Sequence, residues 1–227
     1  MNARIRMDGA PDPAAPTAVE PLSASLIAPD KPPLGNLVAY RLEPGGADWQ
    51  TEAWERVLAE IESTAAIEFY APDGEVNLVI DPAAGLPDGA LGVMRAEPHA
   101  PRVVAMSDGI DFRPWYEAVA AHELMHALGF GHVSPEVDSL MQPRIGPLSG
   151  GLTELDRASL SALYPEPEDF AERKAAARWA EFHATREAWE RGEASYADAL
   201  DDAQAHAQAV AGAADAFVFL EDYGLAA

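Results

Sequence analysis

The sequence predicts an α+β chain, and three observations carry that prediction. Five short runs of strand chemistry occur, and the last four are consecutive. Segments with helical spacing stand before and after that block, and from residue 166 the composition shifts to Ala, Glu and Asp with helical spacing throughout. With 227 residues, 48% hydrophobic and 23% charged, the chain can build one ordinary core and still carry appendages.

Residues 1–34 are dominated by Pro, Ala and Asp and show no apolar period, which predicts a flexible or extended arm. Regular structure begins with NLVAYRLE, where Val38 and Tyr40 alternate with Leu37, Ala39 and Leu42. Trp54, Val57, Leu58, Ile61 and Ala65 then recur at helical spacing, predicting an amphipathic helix from Asp48 to about Ala66. IEFYA and VNLVID read as strands separated by Pro72, Asp73 and Gly74, and ALGVMR and RVVAM read as two more. A helix is expected from about Pro114 to Leu128, with Pro in its first turn and Gly129 as the stop. A Pro/Gly-rich loop spans His132 to Gly151. Thr153 with Asp156 three residues on resembles a capping box, and Leu155, Ala158, Ala162 and Leu163 supply the expected buried stripe of a helix that Pro165 ends. The domain so bounded is 35–165.

The tail, 166–227, holds 14 acidic and 5 basic residues, a net of −9. Ala175, Trp179, Phe182, Arg186 and Trp189, then Tyr196, Leu200, Ala203, Ala207, Val210, Ala214 and Phe217, form two seams broken at Gly192. That pattern predicts a helical hairpin. On this reading, truncation after Pro165 leaves a folded catalytic module.

Lys plus Arg total 15 against 38 Asp plus Glu, a formal net charge of −23. Such a surface repels phosphate backbones and anionic lipid, which argues against a nucleic-acid partner. The chain contains no cysteine, so disulfides and thiolate metal sites are excluded and His, Asp and Glu are the strong metal ligands left. The opening MNARIRMDGAPDP is not followed by an apolar signal-peptide core, and no run approaches the roughly 20 apolar residues of a membrane span, so a soluble protein is expected.

The stretch HELMHALGFGH places His122, Glu123, His126, Gly129 and His132 in the pattern H-E-x-x-H-x-x-G-x-x-H. On a helix, two histidines four apart lie about 40° apart on one face, one turn along the axis, so both imidazoles reach a single ion. Glu123 points in a neighbouring direction, within reach of a water at that ion. Gly129 permits the sharp turn that brings His132 back as third ligand. Three protein ligands and an open fourth position describe one catalytic zinc ion rather than a structural one. Five specified residues at fixed offsets arise by chance in such a chain with odds of roughly one in a hundred thousand at average composition.

On these residues the sequence resembles the metzincin zinc endopeptidases, and among them the matrixins. SLMQP supplies Met141 nine residues after His132, in the place of the family's methionine turn. WQTEAWERVLAEIE looks like the first matrixin helix, ALGVMR like the substrate-binding edge strand and LTELDRASLSALYP like the closing helix. The resemblance implies a metzincin-like domain with a mixed twisted sheet, an active-site helix and a closing helix. It also implies that Glu123 is the general base, that protein or peptide substrates lie along Leu91, Gly92, Val93 and Met94, and that Pro143, Arg144 and Ile145 wall the pocket for the side chain after the scissile bond. Arg144 and Ile145 depart from the family's Pro-x-Tyr. His99 is the sole histidine between Asp81 and Arg102, so the structural zinc site of animal matrixins cannot be assembled and His99 is expected to be a solvated loop residue. No motif supports a calcium ion.

Two rival readings remain open at the level of sequence: a zinc hydrolase of a non-peptide amide, and a zinc-dependent binding protein that has lost catalysis. The tail suits an export signal, an inhibitory cover, a partner dock or a merely stabilising hairpin, with His183 and His206 facing solvent. The family is mostly secreted, so export without an N-terminal signal peptide is expected.

Overall fold

The computed structural model describes residues 32–72, 74–84, 86, 90–144, 150–178, 181 and 191–192. Most of the arm and most of the tail, including Trp179, Phe182, His183, Trp189 and His206, lie outside the described residues, as does Ile145. The described fold is α+β. Its elements are β1 (Leu37–Leu42), α1 (Asp48–Thr64), β2 (Glu68–Tyr70), β3 (Leu78–Ala84), β4 (Gly92–Arg95), β5 (Arg102–Ser107), α2 (Arg113–Ala127) and α3 (Glu154–Leu163). Residues 170–178 are also helical. No helix among the described residues is long and apolar enough to cross a membrane.

The sheet order is β2-β1-β3-β5-β4. The first four of these strands run parallel and β4 runs antiparallel to β5, with Gly92 opposite Met106 and Met94 opposite Val104. Parallel strands need crossovers, and α1 supplies the one between β1 and β2. The register of β3 against β5 shifts between Asp81 and Ala84. Pro82, which has no N–H for the ladder, sits at that irregularity.

The stripe predicted for α1 is the one buried: Trp54, Val57, Leu58 and Ile61 are all in the core. Helix α2 buries residues on every side, among them Tyr116, Val119, Leu124 and Met125, as befits a helix enclosed by α1 and the sheet. Trp54 Nε1 donates to the Tyr116 hydroxyl at 3.1 Å, and that hydroxyl donates to the Pro82 carbonyl at 2.8 Å. A buried chain of polar atoms therefore links α1, α2 and β3 without an unpaired member.

Helix α3 departs from expectation. Its buried residues are Asp156, Ser159 and Leu160, while Ala162 is exposed and Leu155, Ala158 and Leu163 are half-buried. The Thr153–Asp156 capping box forms, with Asp156 N donating to Thr153 Oγ1 and Thr153 N donating to Asp156 Oδ2. Asp156 is drawn inward because its carboxylate has donors waiting there, described below. A polar residue with satisfied hydrogen bonds thus displaces alanine from the inner face.

Candidate metal centre

The last two turns of α2 carry His122, Glu123 and His126 on the side of β4 and the 131–144 loop. The helix ends where Leu128 caps it, and Gly129 takes φ +105°, a value that side-chain-bearing residues rarely adopt. Two distant side chains hold that end in place. Arg102 from β5 donates to Ala127 O, and the Tyr164 hydroxyl donates to Leu128 O at 2.6 Å. Both satisfy terminal carbonyls that the helix itself leaves without partners. Burial lowers the Arg102 pKa and raises that of Tyr164. The chain then turns back, and Val133 N donates to Met141 O at 2.9 Å, tying the residue after His132 to Met141.

The result brings three imidazoles together. The Nε2 atoms of His122, His126 and His132 stand 3.0, 3.1 and 3.3 Å apart. His122 Nδ1 lies 2.8 Å from Leu140 O and His126 Nδ1 lies 2.8 Å from Phe130 O. A carbonyl only accepts, so Nδ1 of His122 and of His126 carries a proton, and in the neutral ring Nε2 is then the acceptor that can face a cation. Burial lowers the His122 pKa, against the opposing pull of the Leu140 carbonyl, which favours the neutral ligand form. These three histidines could hold a metal ion.

His122 is buried, His126 half-buried and His132 exposed, so the group opens to one side. A cavity of about 420 Å³ lies there, lined by the three histidines, Glu123, Gly92, Val93, Met94 and Pro143. A second cavity of about 380 Å³ adjoins it through Gly92, His122, Glu123 and Pro143 and adds Leu91, Val119 and Arg144. Met141 is fully buried, with its N–H donating to Ser139 Oγ at 3.0 Å. His99 is exposed in a turn with φ 64°.

Two features of the centre are absent from the motif. The Asp156 carboxylate accepts from Ser139 Oγ at 2.5 Å, Leu140 N at 2.8 Å, and Thr153 N and Oγ1 at 2.9 Å each. Leu140 is the residue whose carbonyl accepts from His122 Nδ1, so α3 steadies His122 through a single intervening residue. The capping box hinted at Asp156 as a helix start, but nothing in the spacing pointed to Leu140. The other feature is Gly92. A Cβ there would lie 2.7 Å from Glu123 Cγ and 2.9 Å from Val119 Cγ1, so the bare strand backbone makes the room that Glu123 occupies. No protein-family model and no curated protein matches the chain.

Proposed function

We propose that the protein is a zinc-dependent endopeptidase of the metzincin type, matrixin-like in its catalytic domain. The observation that carries this reading is the convergence of the three Nε2 atoms of His122, His126 and His132 beside Glu123 and an edge strand. Zinc–nitrogen bonds of about 2.0–2.1 Å at tetrahedral angles place ligand nitrogens about 3.3 Å apart. The observed 3.0–3.3 Å fits that requirement with three protein ligands and leaves a fourth direction toward the cavity.

His122, His126 and His132 would hold the ion, which when bound supplies Lewis-acid activation of a water and of the substrate carbonyl. The Glu123 carboxylate lines both cavities, where it takes the proton from the attacking water and returns it to the departing amine. One group thus acts first as base and then as acid. β4 forms the sheet edge next to these residues, so its outward N–H and C=O groups can pair with an extended peptide as an added strand. Main-chain pairing of that kind suits a peptide over a small amide, because it needs several consecutive peptide groups.

Replacing Glu123 by Ala is expected to leave metal content unchanged and to lower peptide cleavage by about 10²–10⁴-fold or more, the range for loss of a positioned acid–base group. Elemental analysis and a quenched-fluorescence peptide assay, each with and without chelator, read the two quantities separately. Near wild-type turnover by that variant would remove Glu123 from the mechanism.

A further inference from the structure

On the footing of the peptidase function just proposed, we infer that Arg144 makes the cavity beside Glu123 selective for an acidic side chain next to the scissile bond. Glu123 lines both cavities of the centre, whereas Arg144 lines the 380 Å³ cavity and not the histidine cavity, and also borders a third cavity, of about 130 Å³, formed with Asp138, Ser139, Leu140, Gly151 and Thr153. Leu91, Gly92, Val119 and Pro143 line the 380 Å³ cavity with it.

Those four residues are apolar and fit the methylenes of a glutamate-sized side chain. Arg144 is the one Lys or Arg among the described residues lining either cavity of the centre. Arg144 makes no ion pair among the described residues, so its fork of donors remains to be matched. A carboxylate is the complement of that fork. In a chain of net charge −23, a cation at the cavity also favours an acidic segment there over elsewhere on an acidic surface. A substrate edge pairing with β4 would pass this opening, because Gly92 belongs to both the strand and the cavity lining and Leu91 immediately precedes the strand.

The test uses pairs of fluorogenic peptides that differ only by Glu against Gln at each of the two positions flanking the cleaved bond. The wild-type protein is expected to show a kcat/KM about tenfold higher for Glu at one of these positions, the scale of one charge-assisted hydrogen bond. Because Arg144 is exposed, the preference should shrink as salt rises. Arg144→Lys should retain part of it, Arg144→Gln should abolish it, and Arg144→Glu should favour Lys-bearing peptides. Chelator-sensitive cleavage with equal rates for Glu and Gln would overturn the selectivity and leave the peptidase reading intact. Absence of all chelator-sensitive cleavage would overturn the peptidase reading. In that case calorimetry on the zinc-loaded protein decides the selectivity, using two hydroxamates that carry a carboxyethyl or the isosteric carbamoylethyl group. Tighter binding of the acid, lost in Arg144→Gln, supports the assignment to Arg144, and equal binding overturns it.

Discussion

At the scale of single residues the arrangement of the three histidines depends on side chains outside the cluster. Asp156 is fully buried and its carboxylate accepts four hydrogen bonds, one of them from the N–H of Leu140, the residue whose carbonyl accepts from His122. Replacing Asp156 by Ala would leave Ser139 Oγ, Leu140 N and Thr153 N without an acceptor, at a cost of about 3 kcal/mol for buried donors stranded together. Loss of an outer partner of a ligating histidine also lowers metal affinity by about 10-fold or more. Thermal unfolding and a competitive zinc titration measure the two effects. Unchanged affinity in the folded variant would mean that Leu140 holds its place without Asp156. Gly92 shows the opposite economy. There the absence of a side chain is what seats Glu123 against the strand.

At the scale of elements, the two edges of the sheet are treated differently. The outward N–H groups of β2 and the residue after it are occupied by carboxylates: Phe69 N donates to Glu62 at 2.7 Å and Ala71 N donates to Glu181 at 3.1 Å. Negative side chains thus block the edge remote from the three histidines. The cost falls on Glu62, whose pKa is raised above 4.5 by burial, with the like charge of Glu68 adding to it and the Phe69 N–H opposing it. Between 4.5 and that raised folded value the native state holds more protons than the unfolded one, so stability falls as pH rises through the window. Glu62→Gln cannot ionise and its amide oxygen can still accept from Phe69. The variant is therefore expected to melt at a higher temperature than wild type at pH 7, and to lose that advantage in acid below the unfolded pKa. A lower melting temperature at pH 7 would mean that attraction to Arg178 and Lys174 outweighs the burial of charge.

At the scale of the molecule, the chain beyond Pro165 returns to the domain. Glu68 has no exposed side-chain surface, and its two carboxylate oxygens lie 2.5 Å from Lys174 Nζ and 2.5 Å from Arg178 Nε. Arg178 also pairs with Glu181 at 2.8 Å, and Ala177 is buried. Truncation after Pro165 removes every one of these partners. The expected penalty is about 2–3 kcal/mol, below the 3–5 of a fully buried pair because uncovering Glu68 also lets water reach it. Zinc binding should survive, since all three ligands lie upstream. Adding Glu68→Gln to the truncation should recover part of the loss, whereas a truncated protein as stable as the full chain would reduce this contact to a surface pairing. Pro32, the first of the described residues, is held too: Arg102 donates to Pro32 O as well as to the end of α2.

What the sequence determined by itself is local. The helical period places His122 and His126 on one face, Gly129 marks the turn, and the periods of α1 and of the strands are legible because each depends on backbone geometry over a few residues. The structure decided whatever joins residues far apart in the chain. Asp156 reaches Leu140 across 16 positions, Arg102 reaches Ala127 across 25, and Arg178 reaches Glu68 across 110. Periodicity carries no information about such partners, and hydrophobicity misplaced the inner face of α3 because a buried aspartate there is satisfied by donors from another loop. The strand order β2-β1-β3-β5-β4, which leaves β4 as the edge beside the histidines, follows from how the faces of α1 and α2 pack on one sheet, and packing is settled only when the whole chain has chosen its neighbours.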